Sequence, residues 1–227
     1  MCGISGFLEP QGSRSLDDLT AIASTMADTL LTRGPDSSGV WANAEAGIAL
    51  SHRRLAIVDL SPSGHQPMSS ACGRYVISYN GEVYNFMSLR RELEAAGVLF
   101  HGHNDTEVIV NGCAHWGVRA LTERLNGMFA FALWDTHTRT LSLVRDRLGI
   151  KPLFWGRLEG ATLFASELKA LRRHPAFVAE VDRDALALFL RHNYVSAPMS
   201  IFKGISKLFP GVILIIAPGR PPDLTIY

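Results

Sequence analysis

The sequence has little cysteine and no long hydrophobic run. Its three cysteines, at positions 2, 72 and 113, form no CxxC pair and no zinc-finger spacing, which argues against a disulfide or zinc scaffold. The apolar run at 212–218 is a strand candidate, far short of the roughly 20 residues that a membrane helix needs. No basic segment followed by an apolar one opens the chain. We therefore expect a soluble, reduced, cytoplasmic protein.

An excess of charge of one sign is also missing. The 227 residues carry 22 basic and 21 acidic side chains, a net charge of +1, so nothing indicates nucleic acid or an anionic membrane as a partner. A metal site is not indicated either, because His101 and His103 have no third ligand near them and Cys113 and His115 fall on different faces of a predicted helix. With 47% hydrophobic residues, the chain can bury one sizeable core.

The spacing of apolar residues predicts helices separated by groups of strands. Ser15 and Asp18 form a capping-box pattern at the start of the first helix, and Gly97 and Gly117 end the second and third. The predicted helices are 16–31, 86–96, 106–116, 119–125, 167–172 and 183–191. The predicted strands are 2–8, 38–42, 46–51, 74–79, 128–135, 140–144, 152–156, 161–165 and 212–218. This order favours an α+β layered domain over alternating βαβ units.

Position two holds the most informative residue. If Met1 is removed, which a small second residue such as Cys2 favours, the thiol and a free α-amine lie on one residue. An α-amine titrates near pH 8 and can act as the base that activates its own side chain. The alternative is that Cys2 only begins a buried strand, where free cysteines are common. Position two alone favours neither reading.

Three further segments carry chemistry that a cysteine nucleophile would need. Asn80-Gly81-Glu82 offers an amide, a close backbone N–H and a carboxylate, although Asn-Gly taken alone is more often a hairpin turn. Arg54 has apolar neighbours that would hold its guanidinium partly dry for a carboxylate, the alternative being a solvated strand-end arginine. Asp105 precedes a helical run, so its default role is an N-cap, and its second oxygen could face a ligand ammonium.

The order of motifs along the chain resembles one known family. The motifs are Cys2-Gly3-Ile4, Arg33-Gly34-Pro35-Asp36, Arg53-Arg54-Leu55-Ala56-Ile57-Val58-Asp59, Asn80-Gly81-Glu82, Asn104-Asp105-Thr106-Glu107, and the segments 127–132, 145–153 and 165–171. Together they resemble the glutaminase domain of glutamine-hydrolysing asparagine synthetases, class II amidotransferases with an N-terminal nucleophile. The resemblance runs nearly unbroken from residue 2 to about 172 and more loosely to the end. Two departures are Thr32, where the family usually has histidine, and Leu148, where phenylalanine is commoner.

The resemblance implies a fold and a set of site residues. The fold would be the four-layered αββα sandwich of N-terminal nucleophile hydrolases, with a glutamine amidotransferase domain at 2–191 and a C-terminal extension at 192–227. Cys2 would be the nucleophile, and Asn80 with the backbone N–H of Gly81 would form the oxyanion hole. The glutamine α-carboxylate would bind Arg54, the α-ammonium would bind Glu82 and Asp105, and the pocket would be lined by Leu55, Ala56, Ile57 and Val58.

The resemblance also implies a reaction and its partners. L-glutamine would be hydrolysed through a Cys2 thioester without metal or cofactor, and the ammonia would pass to a synthetase domain beyond residue 227 that uses ATP and Mg²⁺ to make asparagine. An acceptor other than aspartate is one alternative, and a non-catalytic regulatory module is another. Retention of Cys2, Asn80 and Arg54 argues against the second alternative. A homodimer is left open.

Overall fold

The computed structural model describes residues 1–9, 13–57 and 59–227. Within them the strands are β1 (Gly3–Leu8), β2 (Ser37–Asn43), β3 (Ile48–Arg54), β4 (Met68–Ser69), β5 (Tyr75–Val83), β6 (Gly127–Asp135), β7 (Thr140–Arg145), β8 (Phe154–Leu158), β9 (Ala161–Ala165), β10 (Ile205–Lys207), β11 (Val212–Ile216) and β12 (Asp223–Ile226). The helices are α1 (Leu16–Asp28), α2 (Phe86–Ala95), α3 (Asp105–Trp116), α4 (Val118–Arg124), α5 (Leu168–Leu171) and α6 (Arg183–His192), and a 3-10 turn spans Pro62–Gly64. No helix in these ranges combines the length and the apolar character that crossing a membrane would require.

The strands form two six-stranded sheets in which every neighbouring pair is antiparallel. The first sheet has the order β10-β8-β9-β1-β3-β2, and the second has the order β12-β11-β7-β6-β5-β4. The strand that begins directly after Cys2 therefore lies inside the first sheet, between β3 and β9. The second sheet is built around the long pair β5 and β6, which is in register from Tyr75 opposite Asp135 to Val83 opposite Gly127.

Three apolar clusters define four layers. One fills the space between the two sheets, a second lies between the first sheet and α1 with α5, and a third lies between the second sheet and α2, α3 and α4. Helices thus cover the outer face of each sheet. The predicted four-layered αββα sandwich is confirmed.

Strand β6 shows how the sequence produces these layers. Its apolar residues run almost without interruption, as predicted for a strand covered on both faces. Successive side chains on a strand point to opposite faces. Ala130, Ala132 and Trp134 accordingly belong to the cluster between the sheets, whereas Phe129, Phe131 and Leu133 belong to the cluster under the helices.

The first helix begins where its capping pattern predicts. The Ser15 hydroxyl accepts from the N–H of Asp18, and an Asp18 carboxylate oxygen accepts from the N–H of Ser15. The helix ends at Asp28, three residues before the predicted end at Leu31. Hydrogen-bonded turns, including Arg33 N–H to the Leu30 carbonyl at 2.9 Å, carry the chain to the Arg-Gly-Pro-Asp segment.

The C-terminal residues continue both sheets. Strand β10 pairs with β8 at the edge of the first sheet, and β11 lies between β7 and β12 in the second. The segment predicted as a strand at 212–218 is thus β11, ending at Ile216. The proposed boundary between 191 and 192 stays a prediction.

Candidate active site

Cys2 is held at the end of the first sheet. Its Sγ lies 3.3 Å from the backbone nitrogen of Leu55, which donates to it, and its carbonyl accepts from Nε of Arg33 at 2.9 Å. Arg33 in turn donates to the Glu167 carboxylate at 2.9 Å. Burial raises the pKa of the Cys2 thiol, an effect that exceeds the opposing influence of the Leu55 N–H and of the Arg54 charge. The thiol therefore needs a base before it can attack.

A cavity of about 180 Å³ opens beside this thiol. It lies below the range of roughly 300–1,000 Å³ that is typical for drug-sized ligands, so it suits a molecule the size of one amino acid. The lining residues are Met1, Cys2, Arg54, Leu55, Ile57, Asp59, Gly64, Gln66, Tyr79, Asn80, Gly81, Glu82, Asn104, Asp105, Thr106, Met128 and Lys151.

One side of the cavity is the end of β5, residues 80–82, which we call the strand wall. Asn80 and Gly81 stand in register with Ala130 and Phe129 of β6, so the alternative that Asn80-Gly81 forms a hairpin turn is wrong. Asn80 is 1% exposed, and its buried Nδ2 has no hydrogen-bond partner among the residues that the structure describes. Because a buried amide N–H without a partner is costly, this donor is suited to a ligand oxygen.

The backbone N–H of Gly81 is oriented by the register of the same strand pair. The N–H of Phe129 donates to the Asp146 carboxylate, and its carbonyl accepts from the Asp146 N–H, so neither group bonds to β5. Gly81 is the register partner of Phe129, and its N–H therefore points away from β6, toward the other edge of β5. The neighbouring N–H groups on that edge are used: that of Tyr79 donates to Oε1 of Gln66 and that of Val83 to the Asp105 carboxylate. Strand β4 covers this edge only as far as Ile77, so the Gly81 N–H remains available to the cavity.

Glycine at position 81 follows from a close approach of two strands. A Cβ there would stand 2.5 Å from the Met128 carbonyl oxygen and 2.7 Å from the Phe129 Cβ. Both neighbours belong to β6 and cannot move without breaking the strand pair. Any side chain at position 81 would therefore shift the donor.

Another side is formed by Arg54, the last residue of β3, and by the loop after it, residues 55–57 and 59–64, and we call these residues the loop wall. The Arg54 guanidinium donates from Nη1 to the Ser61 carbonyl at 2.9 Å and from Nη2 to the Asp59 carbonyl. A Cβ on Gly64 would stand 2.1 Å from Nη2, so glycine gives the guanidinium its space. A guanidinium has five N–H donors, and three of those of Arg54 have no partner in the ranges 1–9, 13–57 and 59–227.

The Asp59 side chain ties this loop to the start of α3. Its carboxylate accepts from the N–H of Ser61 at 2.8 Å, the hydroxyl of Ser63 at 2.9 Å and the N–H of His103 at 3.4 Å. These donors, with Ser61 contributing most, lower the pKa of Asp59 well below its usual range. The loop wall is thus held by polar contacts near solvent.

Asp105 is the first residue of α3 and not its cap. Asn104 is the N-cap, since its side-chain oxygen accepts from the N–H of Glu107 at 2.9 Å, so the default capping role expected for Asp105 is wrong. The Asp105 carboxylate instead accepts from the Tyr79 hydroxyl at 2.5 Å and from the N–H of Val83 at 3.0 Å. Burial raises its pKa despite these donors.

Glu82 adds a second carboxylate to the same cavity. Burial and the nearby Asp105 carboxylate raise its pKa, and the Lys151 ammonium opposes them. Two carboxylates and the Arg54 guanidinium therefore face one amino-acid-sized space that ends at a thiol and two N–H donors. The arrangement can bind a zwitterion and present a further group to the thiol.

Comparison with known proteins identifies the family. The family model described as "Glutamine amidotransferase domain" matches residues 1–223. The chain belongs to this family. It is 40% identical over 213 residues to asparagine synthetase [glutamine-hydrolyzing] 3 of Bacillus subtilis, a match that covers 92% of this chain and 34% of the relative. A putative asparagine synthetase [glutamine-hydrolyzing] of Mycobacterium tuberculosis is 40% identical over 243 residues, covering 100% of this chain and 37% of the relative.

Solved structures agree on the fold. Glutamine phosphoribosylpyrophosphate amidotransferase from Bacillus subtilis, complexed with ADP and GMP, has a TM-score of 0.71 at 19% identity and covers 99% of this chain and 49% of that one. A structure described as the allosteric regulatory enzyme of purine biosynthesis has a TM-score of 0.72. This glutamine amidotransferase domain therefore spans about a third of the length of the curated relatives and about half of these solved chains.

The structure of this amidotransferase domain brings most of the predicted site residues to one cavity. The predicted residues that line it are Cys2, Arg54, Leu55, Ile57, Asn80, Gly81, Glu82 and Asp105. Ala56 is not among the lining residues, and its N–H donates to the Asp36 carboxylate at 2.8 Å. Val58 lies outside the described residues. Thr32, the departure expected to affect loop support, is exposed.

Sequence reasoning missed several residues of the cavity. Gln66 is buried and bridges two elements, accepting from Tyr79 N–H at 2.7 Å and donating to the Thr106 hydroxyl at 3.2 Å. An isolated glutamine in a loop gives no signal of such a role. Lys151 lies inside the 145–153 motif, so that motif was the available signal. In the described ranges, no group of three or more His, Cys, Asp or Glu residues could hold a metal ion.

Proposed function

We propose that this domain hydrolyses L-glutamine to glutamate and ammonia through a thioester on Cys2. The observation that carries the proposal is Nδ2 of Asn80, which has no partner in the described part of the chain and is buried in the wall of the cavity that contains the Cys2 thiol. A donor placed in advance where an oxyanion develops is the largest single contribution in many acyl-transfer enzymes. The Gly81 N–H supplies the second donor of the pair.

The charged side chains of the cavity suit the α-carbon end of glutamine. Arg54 can bind the α-carboxylate, because a planar guanidinium binds a carboxylate through two parallel hydrogen bonds and only two of its five donors are used within the described residues. Glu82 and Asp105 supply negative charge for the α-ammonium. With these ends fixed, the side-chain amide reaches the thiol between Asn80 and Gly81, with Leu55 and Ile57 beside it.

Burial raises the pKa of the Cys2 thiol, so the thiol needs a base to remove its proton. The proposed base is the α-amine of Cys2, which is free only after Met1 has been removed. The freed α-amine then takes the thiol proton, directly or through a water, and Sγ attacks the amide carbon. The carbonyl electron pair moves to oxygen, where Asn80 and Gly81 donate to it. The C–N bond breaks as the α-ammonium returns the proton, and ammonia leaves. Water, deprotonated by the same amine, then hydrolyses the thioester to glutamate.

The ammonia would serve a synthetase region such as the one that the longer relatives contain. Because the curated relatives are named asparagine synthetases, we propose aspartate as the acceptor, with ATP and Mg²⁺ acting in that region and no cofactor required for glutamine hydrolysis. The cytoplasm is the proposed compartment, since it keeps a thiol such as Cys2 reduced.

A second candidate is an acceptor other than aspartate, because two relatives are named amidases and not asparagine synthetases. Amidase chry2 of Gibberella zeae is 33% identical over 237 residues, a match that covers the whole of this chain. Amidase chyE of Penicillium rubens is 33% identical over 238 residues. The glutaminase chemistry would be the same, and only the acceptor would differ.

The test is glutamine hydrolysis by the 227-residue chain in the absence of ATP and metal. Cys2→Ala should abolish release of glutamate and ammonia. Cys72→Ala is the matched control, since Cys72 is an exposed thiol away from the cavity, and it should retain full activity. Full turnover by Cys2→Ala would overturn the proposal.

Intact-mass measurement on the same preparations tests the role of the α-amine. A retained methionine would convert that amine into an amide nitrogen, so activity should scale with the fraction of chains that begin at Cys2. A fully active preparation in which every chain retains Met1 would overturn the α-amine mechanism and leave the thioester to another base.

A further inference from the structure

Lys151 lies on a turn whose shape is fixed by one buried carboxylate. Asp146, fully buried, accepts from the backbone N–H groups of Phe129 at 3.2 Å, Leu148 at 3.1 Å, Ile150 at 2.9 Å and Lys151 at 3.0 Å. A carboxylate that satisfies four backbone donors holds them in one arrangement. The backbone nitrogen of Lys151 is therefore held in a set place beside β6.

The carbonyl side of the same turn is fixed by an arginine. Arg145 donates from Nε to the Lys151 carbonyl at 2.8 Å, from Nη2 to the Gly149 carbonyl at 2.6 Å and from Nη1 to the Leu208 carbonyl at 2.5 Å. Lys151 is thus anchored at both its N–H and its carbonyl. Its side chain leaves this anchored backbone toward the cavity, which it lines.

The Lys151 side chain is buried in a place where lysine is rare. Lys151 is 4% exposed, and lysine is almost never so buried without a partner. Within the described ranges, neither Lys151 nor Glu82 forms an ion pair within 4.0 Å, although both line the one cavity. The Lys151 ammonium and the Glu82 carboxylate therefore line the same cavity without forming a direct ion pair across it.

The groups that face Glu82 explain why a cation is needed there. Besides burial, Asp105, from α3, raises the pKa of Glu82. Burial raises the pKa values of the Tyr79 hydroxyl and the Cys2 thiol, so both stay uncharged and offer no positive charge. Among the described residues that line the cavity, Arg54 of the loop wall is the other cationic side chain. Two carboxylates in one partly dry cavity favour protonation of one of them. Lys151 is the cation that opposes this at Glu82.

We propose that Lys151 is a positioning residue that keeps Glu82 ionised, so that Glu82 can bind the α-ammonium of glutamine. The inference rests on the proposed function for its substrate. Lys151 acts through Glu82 and does not contact the α-ammonium of glutamine, because like charges repel. The two positive side chains, Arg54 and Lys151, balance the two negative ones, Glu82 and Asp105. The cavity then has no net charge from these four groups, as suits a zwitterionic ligand.

The first experiment measures the charge of Glu82 directly in the full 227-residue chain. Carboxyl-carbon NMR of ¹³C-glutamate-labelled protein, with Glu82 assigned by its loss in Glu82→Gln, should give a midpoint that moves to higher pH in Lys151→Met. Lys151→Arg should restore it toward wild type. Lys203→Met, at an exposed lysine that pairs with Glu180, is the control and should not move it. An unmoved Glu82 midpoint in Lys151→Met overturns the inference.

The second experiment separates substrate binding from catalysis. Protonating Glu82 removes one anion from the ammonium site, so KM for glutamine should rise as pH falls through the Glu82 midpoint. In Lys151→Met this rise should begin at a higher pH and reach about tenfold, the order expected for one charge-assisted contact, while kcat changes little. A lysine with only a structural role would change stability at every pH without moving this profile.

A double variant identifies the partner. In a Glu82→Gln background, Lys151→Met should leave the pH dependence of KM unchanged, because its target is already uncharged. An equal shift in both backgrounds overturns the inference. If wild type fails to hydrolyse glutamine, the proposed function fails while the NMR titration still decides whether Lys151 controls Glu82. Lys151→Gln replaces Lys151→Met if the latter does not fold.

Discussion

The two walls of the cavity are built in different ways. The strand wall belongs to β5, which pairs with β6 along nine register positions and is covered by helices on one face and by the first sheet on the other. In the described part of the loop wall only Arg54 pairs with a strand, opposite Ser37 of β2, and Ile57 and Leu60 are 60% and 78% exposed. Its position depends on polar contacts of Arg54 and Asp59 with the loop itself and with the start of α3.

This difference assigns different tasks to the two walls. Donors that stabilise a transition state must be in place before the reaction, and a central strand pair supplies that rigidity. A loop with few buried apolar contacts opens at a low free-energy cost, which allows a substrate to enter a small cavity. We therefore expect substitutions of Asn80 and Gly81 in the strand wall to lower kcat. Substitutions in the loop wall, and of Glu82 as the proposed ammonium ligand, should raise KM.

The largest effect after loss of Cys2 is expected for Asn80→Ala. Removing one of two oxyanion donors should lower kcat by about 10²- to 10³-fold, with a small change in KM. The thermal midpoint should change less than for an ordinary buried amide, because Nδ2 leaves no partner unpaired among the residues that the structure describes. Steady-state kinetics and a melting curve check this. A kcat within a few-fold of wild type would remove Asn80 from the oxyanion hole.

Arg54→Lys is the corresponding test of the loop wall. Lysine keeps the charge and loses the paired N–H geometry, so KM should rise by about 10- to 100-fold, corresponding to roughly 1.5–3 kcal/mol. Arg53→Lys is the neighbouring control, because Arg53 pairs with Asp28 and does not line the cavity. An unchanged KM with a lowered melting temperature would make Arg54 a structural residue.

Asp105→Asn tests whether the negative charge of Asp105 serves substrate binding while lowering the free energy of unfolding. Burial raises the pKa of Asp105, so its ionised form is disfavoured in the folded chain and stability is lost as pH rises through that raised value. Asparagine can still accept from Val83 N–H and the Tyr79 hydroxyl. At pH 7–8 we expect a higher KM with a melting temperature equal to or above that of wild type. Unchanged kinetics would leave Glu82 as the carboxylate that binds the ammonium.

The smallest effect is expected for Gly64→Ala. A methyl group at 2.1 Å from Nη2 of Arg54 would displace the guanidinium without removing it. KM should rise less than in Arg54→Lys, and kcat should stay unchanged because the strand wall is untouched. A fall in kcat alone would show that the loop wall also contributes to the chemical step.

Local signals in the sequence predicted the elements that depend on neighbouring residues. The capping box of Ser15 and Asp18 and the doubly covered strand β6 needed only spacing and side-chain type. Asn80-Gly81 looks like a turn locally, and only its pairing with β6, more than 40 residues away, makes it a strand. For the same reason, no local signal could show which N–H groups of β5 remain free.

The site residues that could be predicted from the sequence are those that lie together in one motif. Asn104 and Asp105 are adjacent in sequence, and helix geometry decides that the first caps α3 while the second turns to Tyr79. Gln66 joins β5 to α3 across 13 and 40 positions of the chain, a relation that exists only after folding. Cofactor use and the domain boundary at 191 stay predictions.

The position of β1 has a practical consequence for handling the protein. Chain ends usually fray, whereas here the third residue already begins a strand enclosed by β3 and β9, and Met1 borders the cavity. An affinity tag fused ahead of Met1 would start beside the cavity, which Met1 lines, and would keep the cysteine nitrogen in an amide bond. A tag after Tyr227 would extend from β12, at the far edge of the second sheet, without passing the thiol.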